Sequence, residues 1–207
     1  MTDAEPIVLV VDDDAAVRRS LERLIRSVGL AVETFSSAEE FLRYDHPIKP
    51  SCLVLDIRMP GISGFELQSR LSPELTMPII FITGHGTVSM SVRAMKASAA
   101  DFLEKPFDDQ ALLDSIHKAI AQDKEARRER AETTAIGHRI DSLTTRERDV
   151  FTLVVTGKPN KQIARDLGIS EKTVKVHRGR IMHKMAAESL ADLVRLAEKV
   201  RHIKPKG

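Results

Sequence analysis

Five short apolar runs set the frame for the first 120 residues: IVLVV (7–11), AVETF (31–35), CLVLD (52–56), PIIFIT (78–83) and DFLEK (101–105). Most of them lack the apolar–polar alternation of a strand with one wet face. Near-continuous Val, Ile and Leu suit strands buried on both faces, as in a parallel sheet covered by helices. Between the runs lie residues 15–28, 37–44, 64–71, 88–96 and 108–121, each readable as an amphipathic helix. Leu21, Leu24, Ile25 and Val28, for instance, recur at helical spacing. Five strand–helix units predict a doubly wound α/β domain.

In that architecture functional groups collect beyond the carboxyl ends of the strands. Those ends read Asp12-Asp13-Asp14, Asp56, Thr83 and Lys105. Four polar groups closing four apolar strands read as one site. A carboxylate finishing a buried strand is costly to desolvate unless a cation or a reaction partner meets it. Asp12, Asp13 and Asp56 would repel one another unless a hard divalent cation sat among them, and oxygen-only ligands point to Mg²⁺. With phosphoryl oxygens held by a metal, one carboxylate is left to attack phosphorus and form an acyl phosphate. Lys105 offers a compact positive charge to a phosphoryl oxygen and the Thr83 hydroxyl can donate to another. Gly84 and Gly86 keep the neighbouring wall low. Asp14 reads as the cap of the first helix, His85 as a solvated loop residue, and Cys52 as a buried, inert thiol.

At this point residues 5–120 resemble a bacterial response-regulator receiver domain, through VVDDD, LDIRMPGISG, FITGHG and DFLEKPF in order. The resemblance implies a five-stranded sheet of order 2-1-3-4-5. It implies Asp56 as phosphoacceptor from a sensor histidine kinase, and Mg²⁺ held by Asp13, Asp56 and the Arg58 backbone carbonyl, with Asp12 acting through a water. Thr83 and Phe102 would be the switch pair, and the Lys105–Pro106 bond would be cis. The expected chemistry is that of a regulator, not a turnover enzyme, with slow self-dephosphorylation only. An aspartyl phosphatase of the haloacid-dehalogenase type is the competing enzyme reading. Its paired aspartates have their spacing at Asp12 and Asp14 but lack the residues that should follow, and Asp56 would go unexplained.

The chain's net charge of +2 hides an asymmetry: residues 1–120 carry −6 and residues 142–207 carry +8. An acidic front and a basic back suggest two tasks and a polyanionic partner. Residues 121–141 mix both signs with few large apolar side chains. They read as the fifth helix running on into a solvated linker, with a coiled-coil seam as the alternative, although apolar heptad positions do not persist.

The last third has no strand signal. Helices are expected over 145–155, 161–167, 171–185 with Ser170 as cap, and 189–200. The third carries Lys172, Lys175, His177, Arg178, Arg180, His183 and Lys184, while Val174, Ile181 and Met185 fall on one face. The DLGIS turn before it joins two helices through a glycine. Dense basic residues, a glycine turn and an apolar edge favour a helix lying in the major groove over a merely solvated one.

Residues 142–200 resemble the LuxR-type helix-turn-helix, so the whole chain resembles a FixJ/NarL-family response regulator, nearer the FixJ branch. This implies that Lys175 and Val176 face base edges and that Lys172, Thr173, Arg178 and Lys161 reach phosphates. Gly179 stands one turn after Lys175, where some relatives carry a lysine, and Arg178 or Arg180 could compensate. The resemblance further implies dimerisation on phosphorylation, with Val92, Met95 and Lys96 as candidates on one domain. Leu190, Leu193 and Val194 are the candidates on the other, with core packing as their alternative. Partners would be the kinase, promoter DNA, RNA polymerase and a second copy of the chain. A scaffold that binds proteins and not DNA is the remaining alternative. No apolar run approaches the ~20 residues of a membrane span and no secretory signal is visible; a bacterial cytoplasmic location is expected.

Overall fold

The computed structural model describes residues 5–46, 48–71, 77–84 and 86–201. It divides into two compact units, Met1–Arg127 and Arg128–Gly207.

In the first unit, strands β1 (Ile7–Val11), β2 (Ala31–Phe35), β3 (Ser51–Asp56), β4 (Ile79–Thr83) and β5 (Asp101–Glu104) alternate with helices α1 (Ala15–Ser27), α2 (Ala38–Arg43), α3 (Gly64–Arg70) and α4 (Val88–Lys96). Helix α5 (Asp109–Asp141) follows. All strand pairs are parallel and the order is β2-β1-β3-β4-β5. The predicted order and the predicted strands therefore hold, with ends shifted by a residue. Strand β4 starts at Ile79 because Pro78 has no N–H to give; its carbonyl still accepts from Leu53 (2.9 Å).

The missing alternation has a direct cause. Ile7, Leu9, Val11, Leu53, Leu55 and Phe81 face one core with Phe41 of α2, Leu67 of α3 and Ala94 of α4. Val8, Val10, Cys52, Val54, Ile80 and Ile82 face the other with Leu21 and Ile25 of α1 and Leu112 and Ile116 of α5. Both faces of the central strands are dry, so successive residues are all apolar.

Gly64 opens α3 against the end of β3. Its N–H donates to the Ile57 carbonyl (3.0 Å), and a Cβ at this position would stand 2.4 Å from the Asp56 carbonyl oxygen. Only glycine allows that approach of backbone to backbone.

Residues 121–141 belong to α5, which runs unbroken for 33 residues. Buried Asp123 accepts from the Ser51 N–H (2.8 Å) and from Arg127 Nε (2.6 Å). Ile136 is buried in the core of the second unit. Asp123 and Ile136 are the buried residues of this stretch, and most of its other side chains are exposed, as its mixed charges lead one to expect.

In the second unit the end of α5 packs with α6 (Thr145–Val154), α7 (Asn160–Leu167), α8 (Glu171–Met185) and α9 (Leu190–Arg201). Gly168 ends α7 in the left-handed region (φ 64°), and Ser170 caps α8 by accepting from the Thr173 N–H (3.0 Å). The Thr144–Glu147 capping box starts α6. Glu147 is buried and also accepts from Lys184 Nζ (2.7 Å). Leu193 is 1% exposed and belongs to this core. Its expectation as a dimer contact is thereby corrected: its side chain is spent on holding α9 to the domain.

Two outcomes follow. A methyl group at position 64 collides with backbone, so Gly64→Ala should lose about 1–3 kcal/mol in urea unfolding of the first unit. The Lys184 ammonium and the Thr144 N–H hold the Glu147 carboxyl at about 2 against an ordinary 4.5. Because the folded value is depressed, the stability it contributes is present above pH 4.5 and is lost as pH falls towards 2. Glu147→Gln should therefore cost about 2 kcal/mol at pH 7, with wild type and variant converging as pH drops, read by urea unfolding at α6–α8 amides.

Candidate functional site

The sheet register brings the polar strand ends together. Val11 pairs with Leu55, so Asp12 and Asp56 emerge side by side. Asp56 pairs with Ile82, and Thr83 pairs with Glu104, which places Lys105 just past the end of β5. Lys105 keeps one tie to the sheet, its N–H donating to the Thr83 carbonyl (2.7 Å), and the Lys105–Pro106 peptide is cis.

From there the Lys105 side chain reaches across the strand ends. Its Nζ donates to Asp12 Oδ2 (2.6 Å) and to Asp56 Oδ1 (2.8 Å). The other Asp56 oxygen accepts from the Arg58 N–H (2.7 Å), and Asp12 Oδ1 accepts from the Asp14 N–H (2.9 Å). Asp12 is 1% exposed and Asp56 5%, while Asp13 is exposed. Burial pushes the Asp56 carboxyl above its ordinary range, against the pull of the Lys105 ammonium. Burial also opposes the charge on Lys105, but its hydrogen bonds to Asp12 and Asp56 outweigh this and hold the ammonium above its usual value.

Thr83 is fully buried at the end of β4. Phe102 is half-buried against the core on the α4 side. His85 lies outside the described residues. Asp14 caps α1, accepting from Ala16 (2.7 Å) and Val17 (3.4 Å). That geometry counts against the phosphatase alternative, which needs the Asp14 carboxylate in the reaction centre.

The donor set suits a hard cation: two buried carboxylates share a single ammonium, Asp13 is exposed next in sequence to Asp12, and every candidate ligand is oxygen. As they stand, no three acidic, histidine or cysteine side chains among the described residues are drawn into a cage.

Two contributors escaped sequence reasoning. Arg18 Nη1 donates to the carbonyls of Asp12 (2.6 Å) and Asp13 (2.9 Å) and so fixes the β1–α1 loop. The Glu104 carboxylate accepts from the Gly86 N–H (3.0 Å) and ties the β4–α4 loop to β5. The only sequence signal for Arg18 is its place one turn into the helix that follows the acidic triplet.

On α8, Lys172, Lys175, Val176, Gly179, Arg180 and His183 are exposed, and Val174, Ile181 and Met185 are buried. The apolar edge is as predicted. The basic face is narrower than the sequence suggests. Lys184 is turned inward, donating to Glu147 and to the Ser142 carbonyl (3.0 Å). Arg178 Nη1 donates to Asn160 Oδ1 (2.8 Å), pinning α8 to the start of α7. Lys161 is exposed on α7, and the Thr173 hydroxyl lies 2.8 Å from that of Ser170.

Among surface apolar residues, Val88 (81% exposed), Val92 (47%) and Met95 (55%) line α4 beside exposed Lys96. Leu190 is exposed and Val194 half-buried on α9. No helix among the described residues is long and apolar enough to cross a membrane.

Comparison with known proteins agrees with this geometry. The response regulator receiver domain family matches residues 8–117, and the luxR family of bacterial regulatory proteins matches residues 141–197. Nodulation protein W of Bradyrhizobium diazoefficiens is 50% identical over 193 residues, 93% of this chain and 85% of that protein. The transcriptional regulatory protein FixJ of Azorhizobium caulinodans is 48% identical over 92% of this chain and 90% of its own length. Among solved structures, the response regulator StyR matches with a TM-score of 0.84 at 51% identity, covering 95% of this chain and all of that one. One parallel sheet, dry on both faces and ending in an Asp–Lys cluster, a helix-turn-helix in the second unit, and relatives spanning both halves lead to one conclusion: the chain belongs to the response regulators of the FixJ branch, with a receiver domain followed by a LuxR-type DNA-binding domain that regulates transcription.

Proposed function

We propose that Asp56 is the phosphoacceptor and that its modification controls dimerisation and promoter binding. The observation that carries this is the Lys105 ammonium bridging Asp12 and Asp56 at the edge of the sheet. It holds a buried carboxylate in a fixed orientation beside a fixed positive charge. A sensor histidine kinase supplies the phosphoryl group. An Asp56 carboxylate oxygen bonds to phosphorus, the phosphorus–nitrogen bond to the kinase imidazole breaks, and the leaving imidazole takes up a proton from water. Asp13, Asp56 and the Arg58 carbonyl, with Asp12 through a water, would hold Mg²⁺, which when bound would neutralise part of the phosphoryl charge. Lys105 and the Thr83 hydroxyl take the remaining phosphoryl oxygens. No turnover is assigned beyond slow self-dephosphorylation.

Once Asp56 carries the acyl phosphate, its bond to Lys105 is lost and the ammonium follows the added charge. Thr83 moving inward leaves room for Phe102, and the face of α4 and β5 is reshaped. Val92, Met95 and Lys96 then pair with a second copy. The functional division is a receiver over 5–120, a helical connection over 121–141 and a DNA-binding domain over 142–207. Lys175 and Val176 meet base edges, and Lys161, Lys172 and Thr173 meet phosphates. Arg178 adds a phosphate contact through the guanidinium nitrogens not used on Asn160. Leu190 and Val194 supply the contact between DNA-bound domains, and RNA polymerase is the partner downstream. The setting is the bacterial cytoplasm.

Wild type treated with acetyl phosphate should gain an acid-labile phosphoryl group, elute as a dimer and bind DNA more tightly; Asp56→Asn should do none of these. A variant that gains DNA affinity from the donor would contradict the assignment. Binding should also fall by about 10³–10⁵ between 50 and 200 mM salt if six to ten phosphates are met, measured by fluorescence anisotropy.

A further inference from the structure

Gly179 occupies the interior of α8, and nothing among the described residues requires a glycine there. Its backbone is not in the left-handed region. Apart from its chain neighbours and the adjacent turns of α8's own backbone, a Cβ built there meets no atom of the described residues within 4 Å. It ends no helix, since α8 continues to Met185. Glycine is among the poorest helix formers, so the residue weakens this helix with nothing in the fold to offset it.

Its direction is informative. At about 100° per residue, position 179 points the same way as Lys172, Lys175, Val176 and His183, all exposed. It points away from Val174, Ile181 and Met185, which are buried. The flanking arginines do not fill the gap, because each projects about 100° to one side. Arg178 is in addition bonded to Asn160. The outward ridge of α8 therefore carries side chains on both sides of a bare turn of backbone.

We propose that Gly179 is the point of closest approach between α8 and DNA. The inference rests on α8 being the helix in the major groove. The missing Cβ lets this turn settle against base edges on the groove floor, where the pattern of donors, acceptors and thymine methyls is exposed. Lys175 and Val176 on the preceding turn are thereby brought within reach of their own base pairs. Gly179 is in this sense a specificity-determining position that acts through shape: a side chain here lifts the helix and loosens sequence-dependent contacts, while phosphate contacts from flexible lysines persist.

The test uses the full-length protein treated with acetyl phosphate. One probe is a duplex enriched by the wild type from a random pool, and the other is a random-sequence duplex of equal length. Gly179→Ala should raise the melting temperature yet weaken binding to the enriched duplex by about tenfold or more, with little change on the random one. Gly137 of α5 is a second helical glycine whose Cβ would meet nothing within 4 Å. Gly137→Ala should stabilise in the same way and leave both affinities unchanged. Undiminished binding by Gly179→Ala overturns the proposal, as does equal weakening by Gly137→Ala. Lys175→Ala separates the two levels. If it weakens enriched-duplex binding while Gly179→Ala does not, only the close approach is wrong; if neither variant weakens it, α8 is not the reading helix.

Discussion

One ammonium group organises the receiver. Lys105 arrives from beyond β5 and bonds carboxylates from the ends of β1 and β3, 93 and 49 residues away in sequence. Two carboxylates this buried and this close would repel each other if left alone, and removing one partner of such a cluster leaves charge uncompensated in a dry place. The cation therefore serves both stability and chemistry. It lets the fold tolerate Asp12 and Asp56 at the sheet edge, and under the proposed function its bond to Asp56 is one that phosphorylation would replace.

That cluster can exist only because the sheet beneath it is registered and dry on both faces. Parallel pairing of Val11 with Leu55 and of Thr83 with Glu104 sets the positions of the polar ends. The two apolar layers resist slippage, since a one-residue shift would exchange the side chains of the two cores. Gly64 adds a local constraint by bringing the start of α3 onto the Asp56 backbone. Arg18 and Glu104 hold the two loops that border the site. Rigid strands with tethered loops are the arrangement expected of a switch whose moving parts are few.

Much of this was legible in the sequence. Unbroken apolar runs gave the strands, because burial on both faces removes alternation, and polar residues at their ends gave the cluster. Ser170 and Gly168 announced the turn before α8, because a cap and a left-handed residue are chemical requirements of that geometry. Long-range pairing by single side chains was not legible. The bond from Asp123 to the Ser51 N–H crosses 72 residues. Glu147 with Lys184 crosses 37, and it turns inward one of the basic residues that the sequence counts on α8. Leu193 shows the same limit. An apolar stripe on a terminal helix marks a buried face, and only packing tells which of its members meet the core and which meet another molecule.

Cys52 lies within β3, four residues before Asp56, in the core layer shared with α1 and α5. Burial pushes its thiol up to about 12, so the sulfur stays protonated. It is the chain's one cysteine, and the receiver consequently offers no thiolate to peroxides or disulfides that would report redox stress. The same silence makes the molecule convenient to instrument. A cysteine introduced at an exposed position would be the single nucleophilic sulfur, and a maleimide dye or spin label would find it without competition.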